Sequence, residues 1–167
     1  MLFGSTSKWW GDRGKRKTGH EGLDLFLYRN NVGDILRLAE NTSVPVIYDG
    51  KVIKIINDFL GKSIFMEHGN RLITVYGHIT PLEGIKVGTK VKEGDVIATI
   101  AKISSNKIKI APHLHITAGW ISEEISPETL DWKRVANSKM VRLIDPLDII
   151  KSGSPILKGS LPVCNDL

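Results

Sequence analysis

The sequence predicts an all-β fold, an antiparallel sheet or sandwich with little helix. Three observations carry the prediction. From Val44 onward, short runs rich in Val and Ile are broken every few residues by Gly, Asn, Asp or Pro, the pattern of strands joined by tight turns. Only Asp34–Glu40 reads as a helical turn or two, with one further short helical piece expected within 121–137. There is no internal repeat, no low-complexity tract and no Gly-rich phosphate loop, and frequent short strands of this kind build a sheet or sandwich.

Taken in order, residues 1–19 form an irregular arm rich in Gly, Lys and Arg, with Trp9 and Trp10 adjacent. That tryptophan pair reads equally as the wall of a groove or as a cap on the core. Gly19-His20-Glu21-Gly22-Leu23-Asp24 follows. His20 and Asp24 are four apart, which in extended backbone returns them to one face. Gly19 and Gly22 argue against a helix there. Val44–Tyr48 runs into Asp49-Gly50, a hairpin signal, and Lys51–Ile56 continues as the next strand. Ile64–His68 ends at Gly69-Asn70, and Arg71–Tyr76 leads to Gly77-His78. Gly84–Gly88 and Val91–Asp95 punctuate further strands, and Lys107–Ile110 alternates polar with apolar. In Pro112-His113-Leu114-His115-Ile116, strand alternation places His113 and His115 on one face and Leu114 and Ile116 on the other.

Composition bounds the function. The chain has 167 residues, 41% of them hydrophobic, enough for one globular domain with a core. Lys and Arg number 23 against 18 Asp and Glu, and the net charge of +5 favours an anionic partner. The basic run Arg13–Lys17 reads as a solvated loop. The single cysteine, Cys164, excludes an intrachain disulfide and a thiolate zinc cluster. No apolar segment is long enough to span a bilayer, and the opening residues lack the apolar stretch of a secretory signal.

The five histidines are His20, His68, His78, His113 and His115. With Asp24, four of them form the ordered series His-x-x-x-Asp, Tyr-Gly-His and His-x-His. Joined to the Asp49-Gly50 turn, His68-Gly69-Asn70, Thr74–His78, Val87-Gly88 and Val91–Ile97, this series resembles the LytM/lysostaphin-type zinc endopeptidases, which cut the peptide part of bacterial peptidoglycan. The likeness runs, with gaps, from His20 to Gly119. It implies an active-site groove over the sheet, with one catalytic zinc held by His20, Asp24 and His115. It places the two catalytic, non-ligand histidines at His78 and His113. Two neutral imidazoles and one carboxylate leave zinc a net charge of about +1 and an open fourth position, the pattern of a catalytic site. Histidine suits the remaining roles of proton transfer and oxyanion stabilisation, since its ordinary pKa lies near working pH. His68, at a strand end, reads as a hydrogen-bonded structural histidine, and Tyr76, expected on the same strand face as His78, reads as packing.

The resemblance further implies peptidoglycan peptides as substrate, no nucleic-acid partner, a monomer, and work outside the cytoplasm by a signal removed or another route. The whole chain, 1–167, is expected to be one peptidase domain: an arm (1–19), a core holding all site motifs (20–119), and a rim insertion with a tail (120–167). Three stretches depart from the family pattern. Ser104–Ile110 replaces the usual Gly- and Ser-containing turn, Arg29–Ser43 is longer and more polar, and 120–145 adds Trp120 and Trp132. All three would lie on the groove rim, so they bear on which peptide bond is cut. Two rivals stand beside this reading: a non-catalytic relative that activates other wall hydrolases, and a biotin- or lipoyl-carrier domain suggested by the Val91–Ile97 turn. The complete ligand series weighs against the first, and a carrier has no use for four ordered histidines.

Overall fold

A computed structural model describes residues 1–9, 13–58, 61–102 and 110–150. Trp10, Cys164 and the 104–109 stretch before the His-Leu-His run lie outside these residues. The strands are β1 (Leu23–Leu25), β2 (Leu27–Arg29), β3 (Ile35–Arg37), β4 (Ser43–Pro45), β5 (Gly50–Asp58) and β6 (Gly61–Glu67). They continue with β7 (Leu72–Gly77), β8 (Ile79–Pro81), β9 (Lys90–Val91), β10 (Val96–Ile100), β11 (Leu114–Ile121) and β12 (Val141–Ile144). Helix is confined to α1 (Trp132–Val135) and the 3-10 turns Pro127–Thr129 and Pro146–Asp148. Every strand pair is antiparallel. The expected all-β architecture is the one found.

A large sheet runs in the order β1-β11-β7-β6-β5-β9, and β12 shares with β1 one edge of β11. β4-β10-β8 make a smaller sheet, and β2-β3 a separate hairpin. The alternation of β-branched and aromatic residues gives the large sheet two buried faces. Val52, Ile64, Met66, Tyr76, Leu114 and Ile116 meet the small sheet's Val44, Ile79, Ile97 and Ile100 in one core. On the opposite face, Ile53, Phe65, Ile73 and Val75 are covered by Leu130, Val135 and Val141 from the chain that follows β11. A register shift between Val52 and Lys54 lets the Lys54 ammonium reach the Leu130 carbonyl at 2.6 Å, fastening that cover.

Three expectations need correction. Asp34–Glu40 is no helix; Ile35–Arg37 pairs back onto Leu27–Arg29. The Asn30 side chain accepts from the Val32 and Asp34 amides, and Gly33 adopts φ 96°, so a tight turn forms before a short helix can nucleate. Asp49-Gly50 does not close a hairpin, because β4 and β5 belong to different sheets. Instead the Asp49 carboxylate accepts from the Glu93 amide and the Lys92 ammonium, joining two loops. Gly69-Asn70 does make the expected turn, with φ 80° and 46°, between β6 and β7.

The third correction concerns His78. A common strand face with Tyr76 is not what forms, since His78 lies between β7 and β8 with φ 60°. A left-handed residue there bends the chain out of the large sheet and into the small one. Tyr76 is fully buried in the core, as expected, with its hydroxyl accepting from the Ile47 amide.

Candidate metal centre and active site

The site is built where β1 meets β11. In that pairing Asp24 stands directly opposite His115, and Leu23 opposite Ile116. His115 and Thr117 point away from the face that carries Leu114 and Ile116, as strand alternation requires. His20 is not on the strand with Asp24. It precedes β1, and a bend at Glu21-Gly22 folds it back over the sheet. Gly22 makes this possible: a Cβ there would sit 2.3 Å from the Ile116 carbonyl oxygen and 2.8 Å from His115 Nε2. The arm runs alongside, with Gly4 donating to the His20 carbonyl and His20 to the Ser5 carbonyl.

Three donor atoms converge. His115 Nδ1 lies 2.9 Å from Asp24 Oδ1, His20 Nε2 lies 3.3 Å from the same oxygen, and the two nitrogens are 3.2 Å apart. All three side chains are buried. Four ligands set tetrahedrally around zinc at about 2.0–2.1 Å are about 3.3–3.4 Å from one another, so this triangle matches one face of such a shell. A carboxylate and two imidazoles are also the ligand types zinc takes. Among the described residues, this is the group of His, Cys, Asp and Glu able to hold a metal ion.

The atoms that do not converge are held from behind. His20 Nδ1 lies 3.3 Å from the Leu2 carbonyl, and an N–H there donates to it. His115 Nε2 lies 2.9 Å from the Thr117 hydroxyl, and Asp24 Oδ2 accepts from the Trp9 indole N–H at 2.8 Å. Such partners fix ring orientation and tautomer in metal sites. Burial alone would raise the Asp24 pKa, but hydrogen bonds from His115 and His20 outweigh it and hold the carboxyl below its ordinary range.

Beside the triangle, His113 and His78 face each other with ring centroids 4.3 Å apart, and the His78 ring is 6.5 Å from that of His115. His113 is buried and precedes β11. Its Nδ1–H donates to the Ala111 carbonyl at 2.8 Å, which leaves Nε2 the lone pair. Burial pushes its pKa below the ordinary value, against the pull of Asp24 and that carbonyl, so the ring is neutral near pH 7. Trp132 stands over the site with its ring 5.7 Å from His115 and 5.8 Å from Phe65.

All five residues singled out in the sequence therefore meet in one place, though only Asp24 and His115 do so from paired strands. His68 is elsewhere. Its Nδ1–H donates to the Asp49 carbonyl and its Nε2 accepts from the Thr74 hydroxyl, the structural role expected. Of the tryptophan pair, Trp9 reaches the site. Sequence reasoning missed Trp9's bond to Asp24, the Leu2 carbonyl, Thr117 and the reason for Gly22. Thr117 could have been found two residues past His115 on the same face. A backbone carbonyl carries no such signal.

The model of peptidase family M23 matches residues 29–127, a span that holds His78, His113 and His115, while His20 and Asp24 precede it. No curated protein matches the chain. Among solved structures, the catalytic domain of the antimicrobial peptidase lysostaphin from Staphylococcus simulans is 21% identical. That match covers 91% of this chain and 90% of that one, at a TM-score of 0.58. The solution structure of lysostaphin gives 22% identity and a TM-score of 0.60, over 91% of this chain and 49% of that one. A zinc-containing peptidase from Vibrio cholerae gives 21% identity and a TM-score of 0.51, over 78% of this chain and 36% of that one. This chain thus spans about half of the longer lysostaphin chain. At such identities the likeness is one of fold. The family match, which takes in more than half of the chain and the whole His-Leu-His run, is what makes this protein a member of peptidase family M23.

Proposed function

We propose that the protein is a zinc-dependent endopeptidase that hydrolyses peptide bonds of bacterial peptidoglycan, in a cross-bridge or a stem peptide. The observation that carries the proposal is the triangle of His20 Nε2, Asp24 Oδ1 and His115 Nδ1, sized for zinc and supported behind each ligand. In this reading those three residues hold the ion, and bound there it supplies Lewis acidity and lowers the pKa of water to about 7.

The remaining chemistry falls to His113 and His78. A neutral His113, with Nδ1 tied to Ala111 and a lone pair on Nε2, is suited to take the proton of the attacking water. His78, partly exposed beside it, is suited to donate to the developing oxyanion and then to the leaving amine. The net result is addition of water across one amide bond, with the proton passed from water to amine. The metal, both histidines and their supports fall within one peptidase domain, with 1–19 as arm and the chain from 120 as rim. We infer further that it acts as a monomer outside the cytoplasm, where its substrate lies. Among the described residues no helix is long and apolar enough to cross a membrane.

The test pairs zinc content with turnover on the same preparations, using purified peptidoglycans of different cross-bridge chemistry and identifying the released ends. His78→Ala and His113→Ala should keep zinc and lose a factor of about 10² to 10⁴ in rate. Asp24→Ala and His115→Ala should lose both. Full zinc occupancy in Asp24→Ala overturns the ligand set, and no new peptide ends from any peptidoglycan overturns the hydrolase.

A further inference from the structure

We propose that Trp9 is a positioning residue for the metal centre: its indole N–H holds Asp24 to a single coordinating oxygen while its ring braces His113. The proposal rests on the zinc reading above and concerns a residue outside the five of that site. Asp24 divides its two oxygens sharply. Oδ1 lies 2.9 Å from His115 Nδ1 and 3.3 Å from His20 Nε2, whereas Oδ2 accepts from Trp9 Nε1 at 2.8 Å. A carboxylate with both oxygens free can offer a metal one or two of them, and the second would take the position a water needs. A charge-assisted hydrogen bond on Oδ2 reserves that position.

Trp9 has an aromatic neighbour on each side. Its ring stacks on Phe26 at 5.5 Å with planes 19° apart, and Phe26 directly follows the strand that carries Asp24. On its other side it meets the His113 ring nearly perpendicular, 4.9 Å between centroids. Ser7 pairs with Lys15, and Lys8 donates to the Gly14 carbonyl, so the arm approaches as a short antiparallel ladder. One side chain thus touches a metal ligand and a catalytic histidine at once, and reaches both from an element that supplies neither.

Trp9→Phe keeps an aromatic ring for Phe26 and His113 and removes only the donor. Phe26→Leu disturbs the stack and keeps the donor. Zinc affinity would be measured by chelator competition, coordination by the visible absorption of the cobalt(II) form, and integrity by thermal unfolding of the metal-free proteins. We expect Trp9→Phe to bind zinc about 10- to 100-fold more weakly, as is usual when a ligand's supporting partner is lost. Its cobalt band should weaken as a second Asp24 oxygen joins the shell, while metal-free unfolding stays near the parent's. Phe26→Leu should keep the parent's zinc affinity and cobalt spectrum. Parental affinity and spectrum in Trp9→Phe overturn the proposal. So does an equal loss in Phe26→Leu, which would assign the effect to packing. A parent that takes up no stoichiometric zinc removes the metal reading, and this inference with it.

Discussion

Gly22 explains at the scale of one residue why the ligand loop has the sequence it has. Any side chain there must enter the space between the loop and β11, where the nearest atom is a backbone oxygen that cannot swing away. Gly22→Ala should therefore destabilise the fold by about 1–3 kcal/mol and lower zinc occupancy, read by thermal unfolding and metal analysis. His68 allows a different test. Burial holds its imidazole below the ordinary pKa, against the Asp49 carbonyl, which favours the proton. The unfolded chain takes up that proton near pH 6.5, before the folded chain does. This contribution to stability is thus complete above that value and is lost as pH falls through the folded one. In His68→Gln the stability measured from pH 7.5 down to 5 should fall less steeply than in the parent.

Among elements, the rim after β11 has no regular core of its own and is fastened by cations. The Arg71 guanidinium donates to the carbonyls of Ile121, Ser122 and Ile125, and Lys54 to that of Leu130. Arg71→Met should cost about 1–3 kcal/mol, since three buried or half-buried acceptors lose a charged donor. Its thermal unfolding should shift accordingly, and the rim should show faster amide exchange. The short helix of this rim was legible in the sequence, and so were the strands around His78 and His-Leu-His, because apolar runs and Gly turns are local signals. The β2-β3 hairpin was not: Ile35, Leu36 and Leu38 suggest a helical face, and only the Asn30–Gly33 turn decides against it. That His20, Asp24 and His115 come together was legible through spacing and family likeness combined. Trp9 and the Leu2 carbonyl were not, since a long-range hydrogen bond leaves no mark on either residue's neighbours.

Over the whole molecule, the large sheet separates two cores. That economy leaves one flaw. Ser63, fully buried in β6, is the described residue whose side-chain oxygen has no hydrogen-bond partner and no water access. An unmade hydrogen bond in such a place is costly, so Ser63→Ala should stabilise the protein by about 1 kcal/mol, or about 2–4 °C in Tm for a chain of this size. An unchanged or lowered Tm would show that the hydroxyl is satisfied.

Asp24 and His115 meet across one rung of the β1-β11 ladder, 91 positions apart in the chain. A slip of one residue in that ladder would turn Asp24 to the opposite face. Such distant pairings close late, after the local hairpins of β5, β6 and β7. In the proposed reading the metal grip therefore belongs to neither half of the chain alone: one half carries His20 and Asp24, the other His115. That grip exists only once β1 and β11 are paired in the one register that sets Asp24 opposite His115.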